Sequence, residues 1–240
     1  MNKPFQFKEF NIQQDKTAMK VGTDGVLLGA WCTIDNYPDT ILDIGAGTGL
    51  ISLMLAQRSD AMTIDAVEVD ENAYEQTVEN FEQSDWADRL YCYNASFNEF
   101  ADEIAEEEET YDLVVSNPPF YNDEFETENK SRNKARFTSA LSFEDLLNGI
   151  SRILSKTGIF SVIIPHKEEK SFINLAKANN LFLNKLCRVQ GNETTEVKRS
   201  LLEFSFDETK VEEESLIIET ERHKYTQDYI NLTKDFYLKM

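Results

Sequence analysis

The sequence predicts an α/β fold, with a seven-stranded, mostly parallel sheet, helices on both faces and an antiparallel hairpin at one edge. Two observations predict it. From about residue 40, short apolar runs alternate with helix-like segments, which is typical of parallel strands joined by helical crossovers. Two late candidate strands, 181–189 and 201–206, have no helical segment between them. We therefore expect these two to form the antiparallel hairpin.

The individual elements are predicted from apolar spacing and from the residues that bound each segment. Apolar runs predict strands at 40–44, 63–69, 90–93, 111–116 and 159–164. Apolar residues at helical spacing predict helices at 50–58, 71–84, 97–105 and 168–178. Another helix should begin after Ser142, an N-cap residue with Asp145 three positions on, and we expect Gly158 to end that unit.

Length and composition bound the domain organisation. The chain has 240 residues, of which 41% are hydrophobic and 28% charged, which is enough to bury one sizeable core. We expect residues 1–39 to form an N-terminal lead-in that packs on a catalytic domain of residues 40–240. No run of 18 apolar residues occurs, so no membrane-spanning helix is predicted. The first ten residues lack the apolar core of a signal peptide.

The cysteines argue against a disulfide framework or a zinc site. Cys32, Cys92 and Cys187 are odd in number and far apart in the sequence, whereas disulfide scaffolds and zinc sites use paired or closely spaced cysteines. Buried thiols in a reducing compartment explain the pattern best. We therefore expect a cytoplasmic protein without a metal site, and a monomer.

The charge of the chain is divided unevenly along its length. The net charge is −20, which by itself disfavours phosphate binding. Residues 21–129 hold 26 acids and two bases, Arg58 and Arg89, a net −24, whereas residues 130–200 hold 13 bases and six acids, a net +7. An acidic body with a basic rim could guide RNA to one face. The alternative is that the acidity serves solubility alone.

A glycine loop follows the first predicted strand of the sheet. Residues 43–49 read DIGAGTG, with glycines at Gly45, Gly47 and Gly49 that let the backbone approach a ligand closely. A dinucleotide loop would need glycine where Leu50 stands, and a P-loop would need Gly-Lys-Ser/Thr. The leading Asp43 suits a ligand with a cationic amino group, so the loop favours S-adenosyl-L-methionine. A tight turn without a ligand is the alternative.

Acceptors for the rest of the cofactor are expected at the next two strand ends. Glu68 lies 19 residues after Gly49, and a carboxylate there can accept hydrogen bonds from both ribose hydroxyls. Asp70 fits the N-cap of the following helix better. After the third strand, residues 94–96 stand where a partner of the cofactor adenine is expected, with Ser96 as the candidate. An exposed acid at a strand end is the alternative for Glu68.

The most informative motif is Asn-Pro-Pro-Phe at residues 117–120, directly after the fourth strand. The two prolines stiffen the turn and leave free carbonyl acceptors. Asn117 Oδ1 and the Pro118 carbonyl could accept from both hydrogens of a planar amine and turn its lone pair toward a methyl donor. Phe120 could stack on the ring that carries the amine. A rigid loop with a buried phenylalanine is the alternative.

Four bases follow this turn: Lys130, Arg132, Lys134 and Arg136. They lie in a segment, 121–138, that has no regular apolar spacing and that we expect to be a mobile loop. Because they come directly after the candidate catalytic turn, they could hold RNA phosphates beside the target base. The alternative is a solvated loop in which these bases neutralise the four acids that precede them.

These motifs together resemble class I amino-methyltransferases, and other stretches make the resemblance more specific. Residues 7–10 (FKEF), 18–25 (AMKVGTDG), 27–31 (LLGAW) and 236–239 (FYLK) look like the bacterial tRNA1(Val) adenine-37 N6-methyltransferase family. The resemblance implies a Rossmann-like class I methyltransferase fold and an anticodon stem-loop as partner. It also implies that Lys20, Thr23 and Asp24 line the methionine end of the cofactor.

The expected activity is therefore methylation of an adenine N6 in RNA, with the tRNA anticodon loop as leading target, because loop bases are already partly splayed. Methylation of ribosomal RNA and of a protein glutamine N5 remain open, since both amines are planar. Glutamine methylation is disfavoured because only about 40 residues precede the glycine loop. The alternative hypothesis from a different functional class is a non-catalytic RNA-binding protein with the same fold.

Overall fold

The computed structural model describes residues 3–119 and 141–239. Its strands in chain order are β1 (Phe5–Gln6), β2 (Asn11–Ile12), β3 (Thr40–Ile44), β4 (Thr63–Val67), β5 (Leu90–Tyr93), β6 (Tyr111–Ser116), β7 (Leu154–Pro165), β8 (Phe182–Gln190), β9 (Val197–Ser205), β10 (Glu212–Ile217), β11 (Glu219–Glu221) and β12 (Lys224–Tyr225). Its α-helices are α1 (Thr23–Trp31), α2 (Leu50–Arg58), α3 (Glu71–Glu82), α4 (Phe97–Glu106), α5 (Phe143–Ile153), α6 (Glu169–Ala178) and α7 (Gln227–Thr233).

Eight strands form the central sheet, in the order β10-β8-β9-β7-β6-β3-β4-β5. All neighbouring strands are parallel except that β9 runs antiparallel to both β7 and β8. The chain passes from β3 to β4 and β5 on one side and then returns to β6 on the other side of β3. The predicted α/β fold with a mostly parallel sheet is confirmed, and the order of the strands reverses between β3 and β6.

The sheet has one strand more than the seven predicted. β8 and β9 form the predicted antiparallel pair, but β10 covers the outer side of β8, with Leu216 level with Val189. The hairpin therefore lies one strand in from the edge. β10 begins with three glutamates, and Leu216 is its only buried residue. An edge strand that faces solvent in this way has little apolar alternation by which a sequence could reveal it.

The junction between α5 and β7 also differs from the prediction. β7 begins at Leu154, directly after α5, so Gly158 lies inside a strand and does not end a unit. A Cβ at Gly158 would lie 2.8 Å from Leu154 Cδ1 and 2.9 Å from the Tyr111 carbonyl oxygen. The pairing of β6 with β7 shifts register just beyond Tyr111. Glycine stands here because two backbones approach closely, which is a common reason for glycine within a strand.

Both faces of the sheet are buried, and alternate residues of a strand face opposite sides. In β6, Leu113 belongs to a core cluster with α1 and α2, whereas Val114 belongs to a second cluster with α4, α5 and α6. The same alternation separates Ile41 from Leu42 in β3. This period of two is what strand geometry requires when helices cover both faces, and it fixes the register that aligns the strand ends.

The N-terminal segment is part of the first core cluster. Phe7, Phe10 and Ile12 are buried there with residues of α1 and α2. Buried side chains of α3 hold the adjoining stretch: Asn80 bonds both the amide and the carbonyl of Gln13, and Gln76 Oε1 accepts from two amides at 15 and 16. Residues 3–39 thus pack on the rest of the fold. The division into a lead-in and a catalytic domain at residue 40 stays a prediction.

Candidate active site

The predicted site residues converge on one edge of the sheet. The carboxyl ends of parallel strands meet at the same edge, and ligands of open α/β sheets bind there, at the point where strand order reverses. The glycine loop follows β3, and Asn117 follows β6, so the two flank this point. Ser116, the last residue of β6, donates from Oγ to the Ile44 carbonyl at 3.0 Å, which ties the two strand ends together.

The three glycines of the loop adopt left-handed backbone conformations, with φ of +75° at Gly45, +62° at Gly47 and +74° at Gly49. They serve different purposes. A Cβ at Gly49 would lie 2.6 Å from Phe81 Cε1, so this glycine lets α3 pack against the loop. A Cβ at Gly45 would meet no atom of the described residues within 4 Å. Gly45 and Gly47 therefore leave an open backbone surface, as a ligand cradle requires.

Glu68 connects the loop to the end of β4. Its Oε2 accepts from the Gly47 amide at 2.9 Å, and its Oε1 accepts from the Asp70 amide at 2.9 Å. The residue is half-buried, and each carboxylate oxygen keeps a further lone pair for another donor. Asp70 accepts from the Ala73 amide at 3.0 Å, so its predicted role as N-cap of α3 is confirmed.

Asp43 is fully buried beneath the loop. Its Oδ2 accepts from the Ser52 amide at 3.1 Å and the Ser52 hydroxyl at 2.7 Å, which anchors the first turn of α2. Its Oδ1 has no hydrogen-bond partner within the described residues. Burial raises the pKa of this carboxyl to about 6, and the negative charge of Glu68 adds to the rise. A buried acceptor without a donor is what a cationic ligand group would satisfy.

Three buried polar side chains of α3 that the sequence analysis did not single out bond the glycine loop or the N-terminal stretch. Thr77 donates to the Gly47 carbonyl at 3.0 Å, and Asn80 donates to the Thr48 carbonyl at 2.8 Å. Gln76, in turn, bonds the N-terminal stretch. The sequence contains a pattern that could have revealed these residues, because the uncharged polar residues at 76, 77 and 80 interrupt the apolar face of an amphipathic helix.

Asn117 and Pro118 follow β6, and the glycine loop follows the adjacent strand β3. The two lie on opposite sides of the point where the strand order reverses. Asn117 is half-buried and Pro118 is buried, whereas Pro119 is exposed. The turn is therefore partly open to solvent and is not sealed in the core. Phe120 lies outside the described residues, as do the four predicted RNA-binding residues Lys130, Arg132, Lys134 and Arg136.

Ser96 has a structural role at the end of β5. It is the N-cap of α4, and its hydroxyl donates to Glu99 Oε2 at 2.6 Å while accepting from the Glu99 amide. Asn94 donates to the Glu68 carbonyl at 2.9 Å. A cofactor contact through Ser96 stays a prediction.

Two exposed apolar residues next to Glu68 were missed by the sequence analysis: Val69 is 56% exposed and Tyr93 is 43% exposed. Both offer flat or apolar surface next to Glu68.

The three residues implied by resemblance lie at the start of α1. Lys20 and Thr23 are exposed, and Asp24 is half-buried. Asp24 Oδ2 accepts from Arg199 Nε at 2.7 Å, which joins α1 to the first residues of β9. α1 and α2 run side by side, with Gly25 against Leu50. The start of α1 therefore lies at the same edge as the glycine loop, while contact with a cofactor stays a prediction.

The described residues contain neither a membrane-spanning helix nor a metal-binding cluster. In this part of the chain, no helix has the length and apolar character needed to cross a membrane. No group of three His, Cys, Asp or Glu side chains in residues 3–119 and 141–239 is arranged to hold a metal ion.

Comparison with solved structures supports the same fold. The chain is similar to a predicted O-methyltransferase from Agrobacterium tumefaciens, with a TM-score of 0.68 and 19% identity, covering 89% of this chain and 96% of that one. It is also similar to TYW2 of P. horikoshii in complex with MeSAdo, with a TM-score of 0.58 and 14% identity, covering 85% and 71%. At these identities the likeness shows a class I methyltransferase fold and nothing further.

Sequence comparison is more specific. Residues 27–171 match the methyltransferase small domain family. Proteins named tRNA1(Val) (adenine(37)-N6)-methyltransferase are 53% identical over 239 residues in Christiangramia forsetii, covering 100% of this chain and 99% of the relative, and 57% identical over 236 residues in Flavobacterium psychrophilum, covering 98% and 100%. The predicted family is thereby confirmed, and the chain belongs to the tRNA1(Val) (adenine(37)-N6)-methyltransferase family.

Proposed function

We propose that this protein transfers the methyl group of S-adenosylmethionine to N6 of adenine 37 in the anticodon loop of tRNA1(Val). One observation carries the proposal: the Asn117–Pro118 turn and the glycine loop stand at the ends of the adjacent strands β6 and β3, where strand order reverses. A planar amine and a methyl donor must meet in such a place. Close relatives named for this reaction support the choice of amine.

The residues around the glycine loop fit the cofactor. Among residues 3–119 and 141–239, Gly45 and Gly47 leave open backbone surface, Glu68 keeps free lone pairs at the tip of β4, and the buried Oδ1 of Asp43 lacks a donor. Glu68 would accept from the ribose hydroxyls, and Asp43 would face the cationic amino group. The exposed side chain of Val69 would pack against the adenine. When bound, S-adenosylmethionine supplies an activated methyl group.

Asn117 and Pro118 orient and polarise the amine that receives this methyl group. Asn117 Oδ1 and the Pro118 carbonyl would each accept from one N–H of the adenine amine, which draws the nitrogen toward tetrahedral geometry and takes its lone pair out of conjugation with the ring. Positive charge develops on this nitrogen during transfer, and two fixed carbonyl dipoles stabilise it without a general base. The sulfur–methyl bond of the donor would break as the new C–N bond forms, with S-adenosylhomocysteine as the leaving group, and the surplus proton on nitrogen would leave to water.

The RNA would present adenine 37 as an unstacked base. An anticodon loop already splays its bases, so extrusion costs less than from a duplex. Phe120 would stack on the adenine, and Lys130, Arg132, Lys134 and Arg136 would hold the phosphates on either side. Lys20, Thr23 and Asp24 would close the methionine end of the cofactor site. We also propose that the enzyme acts as a monomer in the cytoplasm, with an anticodon stem-loop as its partner.

The test is direct methylation with labelled S-adenosylmethionine. Purified protein is incubated with unmodified tRNA1(Val) transcript, with a transcript in which adenine 37 is replaced by guanine, with ribosomal RNA, and with a protein substrate that carries a methylatable glutamine. We expect label only in the first, released as N6-methyladenine on digestion. Label in ribosomal RNA or protein alone, or in the guanine-37 transcript, would refute the proposed substrate.

Because the loop glycines serve different purposes, we expect one substitution mainly to lower stability and the other mainly to lower cofactor binding. Gly49→Ala combines left-handed strain with a clash against Phe81, so it should lower the free energy of unfolding by about 2–4 kcal/mol. Gly45→Ala carries only the strain, about 1–2 kcal/mol, but its methyl group enters the cradle and should abolish detectable binding of S-adenosylmethionine. Urea denaturation and titration calorimetry measure the two effects. Normal cofactor affinity in Gly45→Ala would show that the cradle lies elsewhere.

The buried carboxyl of Asp43 predicts a pH dependence. Its pKa is raised from 3.8 to about 6, so between about pH 4 and pH 6 the folded protein keeps a proton that the unfolded chain has released. The contribution of this group to the free energy of unfolding therefore falls as pH rises through that window, by about 3 kcal/mol in total. Asp43→Asn removes this dependence.

Relative to wild type, we thus expect the Asp43→Asn variant to gain about 3 kcal/mol of unfolding free energy between pH 4 and pH 7, measured by urea denaturation without cofactor. It should at the same time bind S-adenosylmethionine more weakly, because the amino group loses its carboxylate. Parallel stability profiles for the two proteins across this range would show that Asp43 carries no buried charge.

A further inference from the structure

We propose that three exposed lysines at the carboxyl edge of the sheet, Lys167, Lys170 and Lys198, bind phosphates of the RNA that flank the methylated base. This proposal rests on the proposed function and assigns it a second RNA-binding surface. These lysines lie on β9 and on the segment after β7, and none of them is among the four bases at 130–136 expected from the sequence. We call the three the lysine ridge.

The strand register places the lysine ridge beside the catalytic turn. Ser116 of β6 is level with Val162 of β7, and Pro165 of β7 is level with Arg199 of β9. Lys198 precedes Arg199 and is therefore level with His166, which begins the segment after β7. Since neighbouring strands lie about 5 Å apart, the segment at 166–170 begins one strand away from the Asn117–Pro119 turn, and Lys198 lies about 10 Å from it.

The three lysines are available for a partner. Lys167 has a side chain 62% exposed, and its one ion pair with the described part of the chain is a 3.9 Å contact with Glu168. Lys170 and Lys198 are exposed, and no ion pair involves either of them within residues 3–119 and 141–239. Because an exposed lysine in water keeps its full charge and reach, each can neutralise one phosphate and release a counterion.

Neighbouring charged groups hold the ridge in place. Glu169 is buried between Lys170 and the strands, where it accepts from Arg188 at 2.7 Å and from the Ser200 hydroxyl. His166 Nδ1 lies 3.0 Å from Glu169 Oε2. Arg199 is paired with Asp24. These contacts fix the start of α6 against β8 and β9, so the ridge presents its ammonium groups from a rigid base.

The other half of this edge repels phosphate. The tips of β3 and β4 carry Asp43, Glu68 and Asp70, and Arg58 and Arg89 are the only bases between residues 21 and 129. Both guanidinium groups are hydrogen-bonded to backbone carbonyls at helix ends. Arg58 donates to the carbonyls of Gly29 and Cys32. Arg89 donates to those of Ala56, Ser59 and Ala61. RNA that enters the site is therefore directed toward β7 and β9, which is where the ridge lies.

The test uses Lys167→Ala, Lys170→Ala and Lys198→Ala combined in the full chain. The matched control combines Lys156→Ala, Lys210→Ala and Lys234→Ala, which removes the same charge from exposed lysines at the opposite edge of the sheet. The affinity for tRNA1(Val) transcript is measured by fluorescence anisotropy across a series of salt concentrations. Calorimetry with S-adenosylmethionine shows whether each variant is folded and binds cofactor.

We expect the ridge variant to bind tRNA roughly 10- to 100-fold more weakly, with a salt dependence shallower by about two to three units of log K per log salt. The control should match wild type in both, and all three proteins should bind the cofactor equally. Equal tRNA affinity and salt slope in ridge and control variants would overturn the ridge while wild-type methylation of tRNA stands. A wild-type enzyme that methylates no tRNA would instead overturn the proposed function and the ridge with it.

Discussion

Asn117→Ala is expected to lower kcat for tRNA methylation by about 10²–10³-fold, the loss seen when one fixed dipole is removed from a developing charge. The side chain stands at the open end of β6 and is half-buried, so its removal leaves no large cavity. Its acceptor would bond the adenine amine and not the cofactor. The affinity for S-adenosylmethionine should therefore stay close to wild type.

Two further variants sharpen this prediction. Asn117→Asp keeps an oxygen acceptor at the same position and adds a negative charge near a developing cation, so it should retain far more activity than Asn117→Ala. Asn148→Ala, on the exposed face of α5, is the matched control and should behave as wild type. Single-turnover rates with labelled cofactor provide the measurement. If Asn117→Ala loses cofactor affinity and turns over normally at saturation, the residue belongs to the cofactor site and the catalytic assignment fails.

Elements with a strong local signal could be predicted from the sequence. β3, α2, β5 and β6 have the predicted bounds, because each is an apolar run flanked by turn or cap residues. β10 could not be found in this way. Its stability comes from pairing with β8 and from the burial of Leu216, and neither the pairing nor an isolated buried leucine produces a recognisable period.

The site was predictable where chemistry is carried by a motif, and less so where it depends on distant contacts. The glycine loop and the 117–119 turn lie at adjacent strand ends, as their positions after successive strands require. Asp24 pairs with Arg199, which lies 175 residues further along the chain, and no local sequence pattern predicts this pair. Ser96 illustrates a competing local role, since the same hydroxyl that could contact a ligand also caps α4.

The lysine ridge shows why net charge is a poor guide to an RNA partner. The chain carries −20 overall, yet at this edge the acids Glu169 and Asp24, on the side of β7 and β9, are paired with Arg188 and Arg199. The two bases in the acidic stretch hold helix ends. Phosphate binding depends on the sign of the electrostatic field next to the reacting base. Strand order sets that field by placing β7 beside β6 and β9 on the far side of β7.

Glu68→Gln should produce the opposite kinetic signature to Asn117→Ala. Glu68 accepts from the amides of Gly47 and Asp70, and its remaining lone pairs would accept from the ribose hydroxyls. A charge-assisted bond contributes about 1.5–3 kcal/mol, and glutamine loses the charge and turns one acceptor into a donor that faces an amide. We therefore expect S-adenosylmethionine to bind about 10²-fold more weakly or worse, with kcat at saturating cofactor largely retained.

Glu71→Gln is the control for this variant, because it removes the same charge from an exposed residue in the first turn of α3. Calorimetry gives the affinity, and initial rates at rising cofactor concentration separate KM from kcat. The comparison with Asn117→Ala is decisive since the two residues end different strands and share no partner, so their effects should add in the double variant. A Glu68→Gln enzyme with normal cofactor affinity but low kcat would mean that the carboxylate acts on the amine and that the ribose is held elsewhere.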